Sequence, residues 1–452
     1  MRWLPAVLWA STPVLLAAPA APRPHILFIV ADDLGWHDVG FHGSEIKTPR
    51  LDALAKAGTE LNQFYVQPVC SPTRAALMTG RYPIRYGFQV GVVRPWDKHG
   101  LPLEERTLAQ ALKQAGYKTA ITGKWHLGHH ERAYLPTRRG FDHQYGHYNG
   151  ALDYFTHERN RGLDWQRDDQ TLREEGYTTE LIAREAVRLI GEHDPAQPLF
   201  LYVPFNAPHA VLQALPRYLD QYRHIQPPKR AKYAAMVTCL DDAVGHIVEA
   251  LDNRGMRDNT LVFFSSDNGG ELTVGGADND PLRGAKGSVY EGGVRVPAFV
   301  CWPGKVRSGV NVDQPLHMVD WYPTLLRLAG ATLHQPLPLD GLDVWPTIAE
   351  GKPTPHEEIL HNVEPQGGAL RRGDWKLVYR KAAQGRPENI ELFNIPADPS
   401  EKHNLAGENP QKASELKERL EAYATQARPP VLDPGPRAPE GFEPPKVWVP
   451  VK

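Results

Sequence analysis

The sequence predicts an α/β/α sandwich built on a large, mostly parallel sheet, followed by a smaller C-terminal α+β unit with an antiparallel sheet. Three observations carry that prediction. Short apolar runs alternate with helical patterns as far as about Gly330, as they do where helices cover both faces of an open parallel sheet. Beyond Gly330, proline-rich connections lead into strand-like segments and one charged helix. No internal repeat points to a solenoid or propeller.

The runs His25 to Ala31, Lys118 to Thr122, Leu199 to Phe205, Leu261 to Ser265 and Pro297 to Trp302 read as buried parallel strands. Leu51 to Ala57, Leu108 to Ala115, Thr179 to Ile190 and Lys232 to Asn253 read as the helices between them. In the last of these, Met236, Leu240, Val244, Ile247 and Leu251 recur at helical spacing along one apolar face about six turns long. Further on, Trp375, Leu377 and Tyr379 alternate within Leu370 to Arg380 as in a strand, and a charged helix spans roughly Pro410 to Gln426. The expected division is a leader over 1–21, a large domain over 22–335, a smaller one over 336–427 and an extended proline-rich tail over 428–452.

With 452 residues, 41% hydrophobic and 23% charged, the chain has the composition of an ordinary globular protein, and a formal net charge of -2 offers no steering field for nucleic acid or anionic lipid. Met1-Arg2-Trp3-Leu4 followed by apolar residues to Ala21 reads as a secretory signal peptide, too short and proline-broken for a membrane span. The protein is therefore expected to be exported. No Asn-x-Ser/Thr acceptor occurs, which favours a bacterial periplasmic or secreted protein. Three cysteines exclude a disulfide scaffold; Cys239 on a helical stripe and Cys301 at a strand end read as packing residues.

The segment Cys70-Ser71-Pro72-Thr73-Arg74, ahead of Ala75-Ala76-Leu77-Met78 and Gly80, predicts a helix with Ser71 as N-cap and Gly80 at its exit. Cys70 then stands at a helix N-terminus, where free amides favour a sulfate or phosphate, and Arg74 adds a guanidinium one turn on. Taken alone, the segment better suits a small buried thiol before a capped helix. Asp32-Asp33 and Asp267-Asn268 each follow a predicted strand, at the end where open α/β sheets bind ligands. These are hard oxygen donors with no histidine or thiolate among them, suited to Ca²⁺ rather than Zn²⁺. Lys124 and His126 lie two apart, on one side of an extended backbone, and His209 follows the strand ending at Phe205. Lys286 sits in a glycine-rich loop, and with Arg74 and Lys124 it completes a cationic cradle for a tetrahedral anion.

C-S-P-T-R-A-A-L-M-T-G-R resembles the Cys-x-Pro-x-Arg signature of the formylglycine-dependent sulfatases, with Thr73 where the common form has Ser. The resemblance extends from H-I-L-F-I-V-A-D-D-L-G-W to L-R-R-G-D-W-K-L-V around Trp375. Within the family it is nearest the arylsulfatase B, or N-acetylgalactosamine-4-sulfatase, type, on Y-A-A-M-V-x-x-L-D-D-A-V-G, S-S-D-N-G-G, L-D-G-L-D-V-W and L-H-N-V-E-P. The resemblance implies an alkaline-phosphatase-like fold and oxidation of Cys70 to formylglycine by a separate maturation enzyme. It implies Ca²⁺ held by Asp32, Asp33, Asp267, Asn268 and the modified Cys70, and a sulfated carbohydrate as substrate. The hydrated aldehyde would attack sulfur and later expel sulfate, with His126 assisting deprotonation, Lys124 and Lys286 holding sulfate oxygens, and His209 protonating the leaving alcohol. Two alternatives stand beside this: a phosphomonoester or phosphonate hydrolase of the same superfamily, and a non-catalytic glycan-binding protein in which Cys70 stays a thiol. Trp36, His37, His143, Tyr154 and Trp321 are candidates for sugar contact.

Overall fold

The computed structural model describes residues 22–449 except 334, 384, 433, 434 and 436, so the leader expected over 1–21 lies outside the described residues. A ten-stranded sheet forms the centre, and its five middle strands run parallel in the spatial order Thr260–Ser266, His25–Ala31, Leu199–Pro204, Lys118–Lys124 and His143–His147. The His25–Ala31 strand is buried along its whole length, so its sequence is a continuous apolar run rather than an alternating one. Leu27, Ile29 and Ala31 enter the core beneath Thr178–Glu192 and Pro228–Asn253, whereas Ile26, Phe28 and Val30 enter the core beneath Cys70–Thr79, Leu108–Gln114 and Trp321–Leu328. Phe28, fully buried, lies 4.3 Å from the Phe263 ring and 5.7 Å from Trp321. Its truncation to Ala would cost about 3–5 kcal/mol.

Two sequence expectations change here. Ala298–Cys301 is antiparallel to Thr260–Ser266, not parallel; the connection over 267–297 forms active-site loops and the four-residue helix Glu291–Val294 and supplies no covering helix of the kind that usually joins parallel strands. The His143–His147 strand, HQYGH, carries no apolar run; the ladder to Lys118–Lys124 buries it despite its polar side chains.

The C-terminal part is an antiparallel meander of Glu358–Glu364, Gly367–Arg372, Trp375–Arg380 and Asn389–Asn394. The single strand expected over Leu370 to Arg380 is two, divided by a turn at Gly373-Asp374. Both faces of this sheet are covered. Leu370, Leu377 and Leu392 pack with Leu416 and Leu420 of the helix Pro410–Gln426, while Ala369, Val378 and Phe393 meet Val289 and Tyr290 of the large domain. Lys376, fully buried at that junction, donates to Glu291 Oε1 at 2.8 Å and pairs with Glu401 Oε1 at 2.9 Å. From Arg428 onward the described chain is extended and pinned by backbone bonds, Arg428 N–H to Ile84 and Trp448 N–H to Leu163 among them. No helix among the described residues is long and apolar enough to cross a membrane.

Candidate active site

Four segments bring chemistry to the carboxyl edge of the parallel strands: Asp32-Asp33 after His25–Ala31, Asp267-Asn268 after Thr260–Ser266, His126 after Lys118–Lys124, and His209 after Leu199–Pro204. The helix Cys70–Thr79 points its N-terminus at this edge. Its N-cap is Val69, with no side-chain cap, which corrects the assignment to Ser71. Ser71 Oγ is occupied otherwise: it donates to the carbonyl of His126 at 2.9 Å and accepts the Val93 amide at 3.0 Å, tying two active-site loops together. At the far end, Gly80 adopts φ +67, the left-handed exit that a side chain would strain.

Asp32, Asp33, Cys70 and His209 offer ligand atoms all within 4.8 Å of one another, and Cys70 Sγ lies 3.7 Å from Asp32 Oδ1. Asp267 Oδ1 accepts the Asp33 amide at 3.3 Å, and Asn268 Nδ2 donates to Asp33 Oδ1 at 2.8 Å. Asn268 Oδ1 is buried with no partner. Three carboxylates and an orphaned amide oxygen fit a hard divalent cation, for which buried donors must otherwise go unsatisfied. The thiol of Cys70 is the one soft atom, a misfit that an oxygen in its place would remove.

Each carboxylate faces a cation, and Asp32 a second, with Arg74 at 3.5 Å. Lys124 Nζ reaches Asp32 Oδ2 at 2.5 Å, Lys286 Nζ reaches Asp33 Oδ2 at 2.8 Å, and Arg74 grips Asp267 Oδ2 with Nε at 3.0 Å and a terminal nitrogen at 2.7 Å. The expected cradle therefore keeps one member, Lys286, on the cavity wall, while Lys124 is buried against Asp32. Arg74, fully buried, also donates to the Lys124 carbonyl at 3.0 Å and lies behind the carboxylates rather than on the cavity wall, because a buried guanidinium is stable only with its acceptors beside it. Burial, and then the neighbouring Asp267, push the Asp32 carboxyl up. Burial acts on Asp33 in the same sense, but Lys286 and His209 outweigh it and hold its carboxyl below the usual range. Burial pushes the Cys70 thiol up to about 12, so at neutral pH it is no thiolate.

His126 is in the left-handed region at φ +60, as is Asp33 at φ +64, so two site residues hold strained backbone. The turn at His126 ends the extended run on which its alignment with Lys124 was argued: Lys124 is buried under Asp32 while His126 lines the cavity. His126 Nε2 lies 2.9 Å from the Val93 carbonyl, which fixes the proton there and leaves Nδ1 a buried lone pair without partner. Burial and then Lys124 keep this imidazole well below its ordinary pKa. Gly150 allows the close approach, since a Cβ there would lie 2.4 Å from the ring. His209 Nδ1 contacts the Ala210 carbonyl, Nε2 lies 3.6 Å from Asp33 Oδ2, and burial with Lys286 lowers its pKa to about 3.

Above Cys70 opens a cavity of about 410 Å³ whose wall includes His126, His209 and Lys286, and also Arg94, Arg159 and Glu364. Arg94 and Arg159, in a loop and a short hairpin, carried no sequence signal, and Glu364 appeared only inside the L-H-N-V-E-P run, with no role assigned to it. None of the five aromatic or histidine candidates for sugar contact lines it. Trp321 and Tyr154 are core residues, Trp36 stacks with His42 at 4.1 Å, His37 pairs with Asp278, and His143 pairs with Glu185. Arg283 and Glu291 bind Glu391 and Lys376 across the domain junction.

A family model described as Sulfatase matches residues 24–331, and one described as N-sulphoglucosamine sulphohydrolase, C-terminal, matches 285–426. Arylsulfatase J of Mus musculus is 38% identical over 91% of this chain and 78% of its own length. Human N-acetylgalactosamine-6-sulfatase is 35% identical over 75% of this chain and 68% of its own length. The crystal structure of Ps i-CgsB superposes with a TM-score of 0.84 at 36% identity, covering 92% of this chain and 95% of that one.

Proposed function

The chain belongs to the sulfatase family and its activity is sulfate ester hydrolysis; from that premise we propose that it removes sulfate from a sulfated sugar of glycosaminoglycan-like character, using a formylglycine at position 70 and Ca²⁺. The observation that carries the proposal is Cys70 itself. It stands at a helix N-terminus, 3.7 Å from Asp32, with its thiol pushed up to about 12, a poor nucleophile and a poor ligand in a site otherwise made of oxygen donors. Conversion by a maturation enzyme would supply an aldehyde hydrate, whose hydroxyl serves as nucleophile at sulfur. Asp32, Asp33, Asp267 and Asn268 would hold the Ca²⁺, whose charge offsets that of the sulfate ester.

The remaining roles belong to the chain. His126 keeps its proton on Nε2 against Val93, so Nδ1 is the atom that accepts one from the nucleophile. Lys124 and Lys286 neutralise Asp32 and Asp33; a divalent cation held by those carboxylates would free both ammoniums to hold sulfate oxygens. Arg74 holds Asp267 in place. His209 is neutral in the free site, and the negative charge of an arriving sulfate raises its proton affinity, so Nε2 carries the proton to the leaving alcohol.

A sugar substrate is supported by the named relatives, which include an N-acetylgalactosamine-6-sulfatase, and by a solved complex of Ps i-CgsB with k-i-k-neocarrahexaose at 35% identity and a TM-score of 0.83. The 4-sulfated N-acetylgalactosamine of the arylsulfatase B type is the specific substrate we put forward, and an exported location is part of the same proposal. Mass spectrometry of the peptide spanning Cys70, on protein active against 4-nitrophenyl sulfate, tests the mechanism. An aldehyde at position 70 is expected, with turnover falling by more than about 1,000-fold in Cys70→Ala. An unmodified thiol in active protein, or an active Cys70→Ala, refutes it.

A further inference from the structure

We propose that Arg94 and Arg159 form a second anion site in the cavity above Cys70, so that the substrate carries another negative group, sulfate or carboxylate, beside the sulfate that is removed. This rests on the sulfatase reading above and adds a substrate class to it. The other cations of the site each contact a carboxylate: Arg74 with Asp267, Lys124 with Asp32, Lys286 with Asp33. Arg94 and Arg159 line the same cavity, yet among the described residues neither side chain makes an ion pair, and the Nε of each is buried with no hydrogen-bond partner.

Three carboxylates lie in their surroundings and, among the described residues, none forms an ion pair with them. Asp97 feels the Arg94 charge, but its Oδ2 accepts the Arg94 backbone N–H at 2.7 Å. Glu364, on the cavity wall, accepts from Asn362 Nδ2 at 3.2 Å. Asp164 is committed to the Tyr148 and Asn149 amides at 3.1 and 2.8 Å and to the Asn149 side chain at 2.9 Å. Burial lowers the proton affinity of Arg159, Asp164 raises it and Arg94 lowers it again, so the two guanidiniums feel each other as like charges. Like charges kept together on a partly dry wall call for an anion between them.

The site is also rigid before any ligand arrives. The Arg159 backbone is in a tight hairpin, Glu158–Arg159 against Gly162–Leu163, with Asn160 and Arg161 at φ +50 and +66. The tail holds it from behind, as Trp448 Nε1 donates to the Arg159 carbonyl at 2.9 Å and Leu163 N–H to Lys446 at 3.0 Å. The Arg94 backbone is fixed by its N–H, which donates to Asp97 Oδ2 at 2.7 Å. Bidentate guanidinium recognition needs such preorganisation.

The test is competition against 4-nitrophenyl sulfate turnover by aldehyde-bearing enzyme. The competitors are N-acetylgalactosamine 4-sulfate, N-acetylgalactosamine 4,6-disulfate and the uronate-bearing chondroitin 4-sulfate disaccharide. Wild type is expected to bind one of the two doubly charged competitors roughly 10- to 100-fold more tightly than the monosulfate, the value for hydrogen bonds to charged groups. Which of the two it prefers tells sulfate from carboxylate. In the Arg94→Gln, Arg159→Gln double variant the ratio should fall towards one, whatever common change occurs in the KM for 4-nitrophenyl sulfate, and Arg159→Lys should recover part of it. A wild-type ratio near one, or a ratio that survives in the double variant, overturns the inference. A wild type carrying the aldehyde but inert to 4-nitrophenyl sulfate brings down the parent reading first, and is told apart by having no turnover to compete with.

Discussion

Replacing Lys376 by Met tests how the C-terminal sheet is locked to the catalytic domain. Its ammonium is fully buried between Glu291 and Glu401, 2.8 and 2.9 Å away, and Glu291 keeps only Tyr65 at 2.9 Å and Arg295 at 3.7 Å as further partners. Met fills the space but leaves two carboxylates facing each other in a dry junction. Losing one partner of a buried ion pair costs about 3–5 kcal/mol. The escape is for Glu401, whose carboxyl burial already raises above its ordinary 4.5, to take up a proton. From a folded value of about 7, doing so costs about 1.4 kcal/mol at pH 8 and essentially nothing at pH 5. A carboxyl whose folded pKa lies above its unfolded one gives stability present at low pH and lost as pH rises, so the deficit of the variant grows with pH. Urea denaturation followed by tryptophan fluorescence should show a deficit of about 2–3 kcal/mol at pH 8 and about 1–2 kcal/mol at pH 5. A deficit below about 1 kcal/mol at pH 8, or one equal at both pH values, refutes the reasoning.

Three further outcomes are expected. Chelating divalent metal should depress 4-nitrophenyl sulfate hydrolysis, with Ca²⁺ restoring it better than Zn²⁺; recovery with Zn²⁺ alone would favour the phosphatase-like alternative. Gly150→Ala should lower kcat at least about tenfold with little change in Tm, because the new methyl meets the His126 ring at 2.4 Å and Val93 holds that ring in place; steady-state kinetics reads this directly, and kcat within twofold of wild type would show that the ring position does not matter. Against burial, hydrogen bonds from His143 and Arg188 hold Glu185 down to about 2, so its contribution is present above pH 4.5 and is lost as pH falls towards 2. Thermal scans from pH 6 to pH 3 should therefore fall less steeply for Glu185→Gln than for wild type, and parallel curves would contradict the assignment.

The central strands were legible because burial on both faces leaves an apolar run that no other element explains, as in His25–Ala31. The carboxylate pairs were legible for a topological reason, since the residues just past such strands must meet at one edge. His143–His147 was not, because its burial comes from the ladder and not from its side chains. Arg74 was found but misplaced: spacing along a helix gives the face, not whether a guanidinium reaches a ligand or a carboxylate behind it. The meeting of Arg94, Arg159 and Glu364 was invisible for a third reason, although Glu364 lay within the L-H-N-V-E-P run. They meet over Cys70 through loops and a second sheet whose relative placement depends on contacts such as Lys376 with Glu291, which have no local pattern.

The tail that backs Arg159 has a practical consequence for anyone shortening this chain. A protein stopped at residue 427 would retain the helix Pro410–Gln426 and every group around Cys70, yet would lose the Trp448 indole that buttresses the hairpin from outside. Such a truncate should still split simple aryl esters while becoming indifferent to the decoration of natural saccharides, so a screen relying on a chromogenic reporter alone would score it as intact.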